Sequence, residues 1–211
     1  MKKNILFLFC ALLTVVGVHA QGVRLNGYAS YVFDDKFDTY NSSTDYVSGT
    51  IQGGFQWGAG IEVTPREDMG VELLYYRQDT EVPTDTYNFG NRTIQLAANY
   101  IMLAGNRYFK VGEKVEPYGG LMLGTAIFNN KNPDPTYGIS SATKFAWGLR
   151  LGTNIWVSEK VGIKLQAQLL SAVQSVGGGL YFGTGGAGAG VSTYSTLLQF
   201  GLGGGLVFKV K

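Results

Sequence analysis

The sequence predicts an all-β protein, an eight-stranded antiparallel up-and-down transmembrane β-barrel. Three observations lead to this class. Apolar side chains recur with a period of two residues along most of the chain, glycine is abundant at 31 of 211 residues, and short turns alternate with long polar loops. A period of two is typical of strands, in which successive side chains point to opposite faces.

The first 20 residues have the composition of a secretory signal peptide. Two lysines precede an apolar run over residues 5–18, and Val18-His19-Ala20 has the spacing of a cleavage site. The run is shorter than the about 20 apolar residues that a transmembrane helix needs. We expect cleavage after Ala20, leaving residues 21–211 as one barrel domain.

Most catalytic chemistry is excluded by composition. The only cysteine, Cys10, and the only histidine, His19, lie in the expected signal peptide. A mature chain without thiol or imidazole lacks Ser-His-Asp and Cys-His catalysis and the usual nitrogen and sulfur ligands of zinc. We therefore expect no enzyme activity, cofactor or metal site. The net charge of +2, without a basic cluster, also argues against nucleic acid as a partner.

Eight segments carry the two-residue alternation. In the second of them the odd positions from Ile51 to Val63 are apolar or small, and the even positions are glycine, glutamine or glutamate. The pattern is equally clear in the sixth, seventh and eighth segments and weaker in the other four. The predicted strands are 22–33, 51–63, 70–80, 92–106, 117–128, 142–157, 161–173 and 193–210.

The connections alternate in length. Those after the second, fourth and sixth strands are short, whereas 34–50, 81–91, 129–141 and 174–192 are longer and polar. Short turns at one end and long loops at the other indicate an up-and-down meander with two distinct ends. In a membrane barrel the long loops would face the cell exterior. Loops 34–50 and 174–192 are therefore the surfaces expected to meet an extracellular partner.

Periodicity alone allows two placements of the apolar face. In a soluble secreted barrel it would point inward and bind an apolar ligand, whereas in a membrane barrel it would meet lipid. The second face is rich in glycine and alanine, with Gln, Asn and single charges, and lacks the dense charge of a solvated surface. Small residues suit the narrow interior of eight strands, while aromatic residues of the first face, including Tyr100, would overfill it. The sequence favours the membrane barrel.

Two sets of residues follow from this orientation. The expected lipid-facing residues are Ile61, Leu149, Leu151, Leu165, Leu169, Leu198, Phe200 and Leu202. Aromatic residues near strand ends form girdles at the membrane interfaces. The expected girdle residues are Phe145, Trp147, Tyr194 and Phe208, whereas Phe55 and Trp57 lie nearer the middle of their predicted strand.

Three stretches resemble a known family. "VSEKVGIKLQAQL", "VEPYGGLMLGTA" and "GLGGGLVFKV" are similar to the OmpA-type outer-membrane β-barrel domain, of the small eight-stranded, porin-like kind. The resemblance covers the mature chain. It implies residence in the outer membrane of a Gram-negative type bacterium, contact with outer-membrane lipid, and insertion by the barrel-assembly machinery.

Charged residues on the inward face form the candidate site. Charges in a narrow lumen are costly unless paired, so we expect Arg150, and Arg24 or Lys164, to pair with Glu62 and Glu72. The resulting hypothesis is a barrel plugged by a polar network, with a structural or surface-interaction role. The alternatives are a small-solute channel or carrier, and a soluble barrel binding an apolar ligand.

Overall fold

The computed structural model describes residues 22–42, 45–85, 92–131, 141–173, 180–183, 186–189 and 197–210. The expected signal peptide, residues 1–20, lies outside these ranges, as does Tyr194 of the expected girdle.

Eight long strands form the wall of a closed antiparallel barrel, which confirms the predicted fold class. They are β1 (Gly22–Val32), β4 (Gly54–Arg66), β5 (Met69–Asp85), β6 (Arg92–Tyr108), β7 (Val115–Asn130), β8 (Ser141–Trp156), β9 (Val161–Val173) and β12 (Leu197–Lys209). Four further strands form two hairpins: β2 (Asp35–Ser42) with β3 (Asp45–Ile51), and β10 (Leu180–Gly183) with β11 (Gly186–Ala189).

Each wall strand pairs with the wall strands before and after it, and β1 closes the ring by pairing with β12. This register places Arg24 opposite both Glu62 on β4 and Lys209 on β12. Closure pairs both edges of every wall strand, so that the backbone polar groups are satisfied without water. That condition is what allows a β structure to span lipid.

The two ends of the barrel differ as the loop lengths predict. At one end, which we call the short-turn end, Glu67 and Asp68 join β4 to β5, and residues 157–160 join β8 to β9. Residues 109–114 join β6 to β7 there, in a turn where Gly112 has a φ of 72°. Backbone in this left-handed region favours glycine. The opposite end is the long-loop end.

The region predicted as loop 34–50 is largely a hairpin. β2 pairs with β3, and β3 pairs with the far end of β5, where Ser48 lies opposite Asp85. β5 also pairs with β6 as far as Thr84 and Arg92. The four strands therefore continue as a sheet beyond the wall. Their sequence is rich in Asp, Thr, Ser and Gly, which favour turns, so backbone pairing rather than an apolar face defines them.

The outward face of the wall is apolar and exposed, as the alternation predicts. Leu151 is 69% exposed and Ile61 57%, while their neighbours Arg150 and Glu62 are 1% and 0% exposed. The other expected lipid-facing residues lie on the same face: Leu149, Leu165, Leu169, Leu198, Phe200 and Leu202. An apolar surface that encircles a polar interior is stable only in an apolar solvent, which excludes the soluble ligand-binding barrel.

Aromatic side chains gather on the outward face at the long-loop end. β4 begins at Gly54 rather than at residue 51, so Phe55 and Trp57 lie at a strand end and not near its middle. Phe33 stacks on Phe200 with ring centroids 5.7 Å apart, and Tyr31 meets Phe33 edge-on at 5.3 Å. Phe145 is also exposed near this end, Trp147 is half-buried, and Phe208 lies at the short-turn end.

We expect Leu149→Arg to lower the free energy of unfolding by about 2–4 kcal/mol, because this outward side chain lies midway along β8. Val157→Arg is the matched control. It adds the same charge at the short-turn end, where the cost falls to about 0–1 kcal/mol. Guanidinium titration of the protein refolded in lipid vesicles measures both values, and equal costs would contradict the orientation of β8.

Candidate functional site in the barrel lumen

The inward face is lined by even-numbered residues on seven wall strands and by odd-numbered residues on β12. Besides glycine, it carries large aromatic residues, among them Tyr100, which was expected on the outward face. Tyr100 is the clearest correction, because it is fully buried in the lumen and its hydroxyl donates to Gln199 Oε1 at 3.3 Å. The inward face therefore combines glycine with bulky polar side chains.

Arg150 on β8 lies at the centre of these side chains. Its Nη2 donates to Glu72 on β5, its Nη1 donates to Tyr28 Oη on β1 at 3.1 Å, and its Nε donates to Asn106 Oδ1 on β6 at 3.0 Å. Four strands around the ring are thus tied together by one guanidinium. The fork of an arginine presents donors in several directions, which a lysine cannot reproduce.

Glu72 accepts two further hydrogen bonds in addition to its ion pair with Arg150. Its Oε1 accepts hydrogen bonds from Tyr28 Oη at 2.6 Å and from Asn26 Nδ2 at 2.8 Å. Both Glu72 and Arg150 are essentially inaccessible to solvent. A buried ion pair of this kind is tolerated because further hydrogen bonds satisfy the remaining lone pairs and protons.

Arg24 has a different partner from the one expected. It forms a bidentate pair with Glu116 on β7, at 2.8 and 3.1 Å, and not with Glu62 or Glu72. Asn154 Nδ2 also donates to Glu116 Oε2, at 2.9 Å. Glu116 was missed because the predicted strand began one residue later, at 117. Glu116 lies two residues before the inward Tyr118. Residues two apart on a strand point to the same face, so the alternation identifies Glu116 as inward.

Glu62 is held by hydrogen bonds rather than by an ion pair. Its Oε1 accepts from Tyr108 Oη at 2.5 Å and from Asn106 Nδ2 at 2.9 Å. Asn106 therefore connects Glu62 to Arg150, since its carbonyl oxygen accepts from the guanidinium.

Lys164 on β9 stays outside the ion pairs. Its Nζ lies 4.5 Å from the ring centroid of Tyr118 and 5.7 Å from that of Tyr28, within the range of cation–π attraction. Within the described part of the chain, its ammonium has no hydrogen-bond acceptor. The expectation that Arg24 or Lys164 pairs with Glu62 or Glu72 is therefore wrong for both cations.

A layer of amides and phenols lies between the charges and the long-loop end. Tyr118 Oη donates to Gln166 Oε1 at 3.0 Å, and Gln166 Nε2 donates to Tyr76 Oη at 3.2 Å. Gln168 Nε2 in turn donates across the lumen to Gln56 Oε1 at 2.5 Å. These bonds connect β4, β5, β7 and β9 above the charged layer.

Cross-strand glycines make room for these side chains. A Cβ on Gly58 would lie 2.3 Å from the ring of Tyr76, its partner in the β4–β5 register. A Cβ on Gly152 would lie 2.7 Å from Tyr118, its partner in the β7–β8 register. The glycine-rich face is therefore complementary in volume to the aromatic residues that it opposes.

A cavity of about 230 Å³ opens at the short-turn end, below the Arg24–Glu116 pair. Lys110 and Glu67 lie at its edge, with Nζ 2.7 Å from Glu67 Oε2. The hydrogen bond and the charge of Lys110 lower the pKa of Glu67. Lys209 also lines this cavity, with its Nζ 3.7 Å from the ring centroid of Trp156.

In the described ranges, no group of three or more His, Cys, Asp or Glu residues is arranged to hold a metal ion. Over the same ranges, no helix has the length and apolarity to cross a membrane.

A sequence model of the outer membrane protein beta-barrel domain matches residues 6–203. The chain belongs to this family. Its closed wall and apolar exterior are those of a transmembrane barrel, and the members of this family are outer-membrane proteins of Gram-negative bacteria. Comparison with curated protein sequences gave no match.

Solved structures of small outer-membrane barrels are similar in fold. Neisserial surface protein A is 14% identical with a TM-score of 0.57, and OprG from Pseudomonas aeruginosa is 13% identical with the same score. Each comparison covers 90% of this chain and 97% of the other. The outer membrane protease OmpT from Escherichia coli also matches, at 8% identity over 90% of this chain and 97% of its own, with a TM-score of 0.43.

We expect Glu72→Gln to lower the free energy of unfolding by about 3–5 kcal/mol, because it leaves the Arg150 charge buried without a counter-ion. The urea midpoint of the protein refolded in detergent measures this. Glu67→Gln is the control: it also removes a carboxylate from an ion pair, but at an exposed position where the midpoint should not move. An unchanged midpoint for Glu72→Gln would mean that the pair does not stabilise the barrel.

Proposed function

We propose that the chain is a non-conducting outer-membrane barrel, whose function is structural or lies in surface interaction through its long-loop end. The observation that carries this proposal is the filling of the lumen by hydrogen-bonded layers that reach across the ring. A channel needs a continuous polar path with sites that bind weakly enough to release an ion. Here the polar groups bind each other instead.

The balance of buried charge supports a plug. Among the described lumenal residues that are buried, Arg24, Arg150 and Lys164 are balanced in number by three carboxylates, those of Glu62, Glu72 and Glu116. A buried layer without net charge offers little electrostatic attraction to a permeating ion of either sign. The arginines are also fixed by two or more hydrogen bonds each, so their movement would break several contacts together.

The sheet beyond the wall supports a role at the surface. β5 and β6 pair past the ring of aromatic residues at the long-loop end, and β3 adds to them. Exposed charges accompany this extension: Asp79 pairs with Arg77 at 3.1 Å and with Lys131 at 2.8 Å. A structured, charged projection suits contact with a partner outside the cell. Export by the signal peptide and insertion by the barrel-assembly machinery would bring it there.

Planar-bilayer recordings test the plug. We expect the wild type to show no steady conductance, because the charged and amide layers obstruct the lumen. The double variant Glu72→Ala/Arg150→Ala, which removes the central pair with its volume, should show current. Arg77→Ala/Asp79→Ala removes an exposed ion pair on the same β5 strand and should stay silent. Steady nanosiemens conductance from the wild type would establish the porin-like channel instead.

Cysteine labelling on whole cells tests the surface role and export together. The expected mature chain has no thiol, so a single Glu81→Cys at an exposed position on β5 should react with a membrane-impermeant maleimide. Ser158→Cys, in the turn at the other end, should react only after the outer membrane is permeabilised. Labelling of Ser158→Cys on intact cells would contradict the proposed orientation.

A further inference from the structure

The outer wall has a groove that neither the lumen nor the loops use. It has a volume of about 510 Å³ and crosses β5, β6, β7 and β8 in the half of the barrel nearest the short-turn end. Its sides are apolar. The outward residues that form them are Met69, Val71, Leu121, Leu149 and Leu151.

Two glycines on adjacent strands form its floor. Gly105 on β6 and Gly119 on β7 both occupy outward positions, and Gly105 pairs with Leu121 in the register. A Cβ on Gly105 would meet no atom within 4 Å. The wall is therefore one side-chain layer thinner here than on either side, which leaves room for a slender apolar chain lying against the backbone.

The end of the groove nearest the short turns is positively charged. Arg107 is an outward residue that lines it, and its Nη2 lies 2.8 Å from Asp68 Oδ2. Arg66 also approaches this carboxylate, with Nε 3.8 Å from Asp68 Oδ1. Two guanidiniums share one carboxylate, so one positive charge is left uncompensated where the apolar groove ends.

We propose that this groove binds one phospholipid of the periplasmic leaflet, with an acyl chain along the glycine floor and the phosphate at Arg107. An occupant has to be apolar along its length and anionic at one end, and the apolar side chains that line the groove all lie on the outward face. Arginine binds phosphate oxygens through its fork of donors, and such charge-assisted bonds are the strong ones. The proposal relies on the orientation proposed above, in which the short turns face the periplasm.

Native mass spectrometry of the protein released from nanodiscs of phosphatidylglycerol and phosphatidylcholine tests this site. The wild type should retain one phosphatidylglycerol. Gly105→Leu, which fills the floor, should reduce that retention about tenfold or more, the change expected for about 1.4 kcal/mol of lost binding. Gly27→Leu is the matched control, since Gly27 also faces outward with no atom within 4 Å of an added Cβ, but lies on β1 across the ring. It should retain lipid as the wild type does.

Two further variants keep the test decisive. Arg107→Gln should lose the preference for phosphatidylglycerol over phosphatidylcholine, because the uncompensated charge is removed. Gly119→Ala narrows the floor, because its Cβ would meet Leu151 Cδ2 at 3.3 Å. This variant replaces Gly105→Leu in the test of lipid retention if Gly105→Leu does not fold. Equal retention in the floor variants and in Gly27→Leu would overturn the proposal. A wild-type dimer that Gly105→Leu dissociates would show a second copy in the groove and overturn it as well.

The orientation is checked separately by the whole-cell labelling of Glu81→Cys and Ser158→Cys. A groove that binds lipid in a barrel with reversed labelling would refute the assignment to the periplasmic leaflet. That outcome would not bear on the conductance of the barrel, and so it would not bear on the proposal of a plugged lumen.

Discussion

The guanidinium of Arg150 is a charge that eight strands enclose on every side, and most of the interior is arranged around it. A buried charge costs several kcal/mol unless it is paired and its donors are satisfied. Glu72 supplies the counter-charge, while Tyr28 and Asn106 accept the remaining hydrogen bonds. The same contacts hold β1, β5, β6 and β8 at fixed distances, so the electrostatic requirement of one residue also sets the spacing across the barrel.

Volume is the second constraint, and it explains the glycines. An eight-stranded barrel has an interior just wide enough for side chains to fill. Tyr76 and Tyr118 enter it because Gly58 and Gly152 stand opposite them and carry no side chain. Glycine has a different effect on the outer wall. Outward glycines at 105 and 119 leave a groove in the apolar outer face, because neither carries a side chain.

The two ends of the barrel differ in structure. At the short-turn end, Arg24 and Glu116 cap the lumen above a cavity lined by Lys110 and Lys209. At the long-loop end, the pairing of β5 with β6 and β3 carries the sheet beyond the wall. Under the proposed function, a plugged lumen would separate these ends, so that contact with a partner at one end would not involve passage of solute to the other.

The sequence by itself determined the number of wall strands, the order of long and short connections, and which face points outward on the wall strands other than β6. These follow from a period of two residues, because a strand sends alternate side chains to opposite faces whatever its partners are. It also placed Arg150 and Glu72 among the charged residues of the inward face, where a charge is costly unless it is paired. Only the tertiary structure decided that Arg24 pairs with Glu116 and that Tyr100 points inward. Partners across a lumen are set by strand order, register and depth together, and the alternation of a single strand contains none of these.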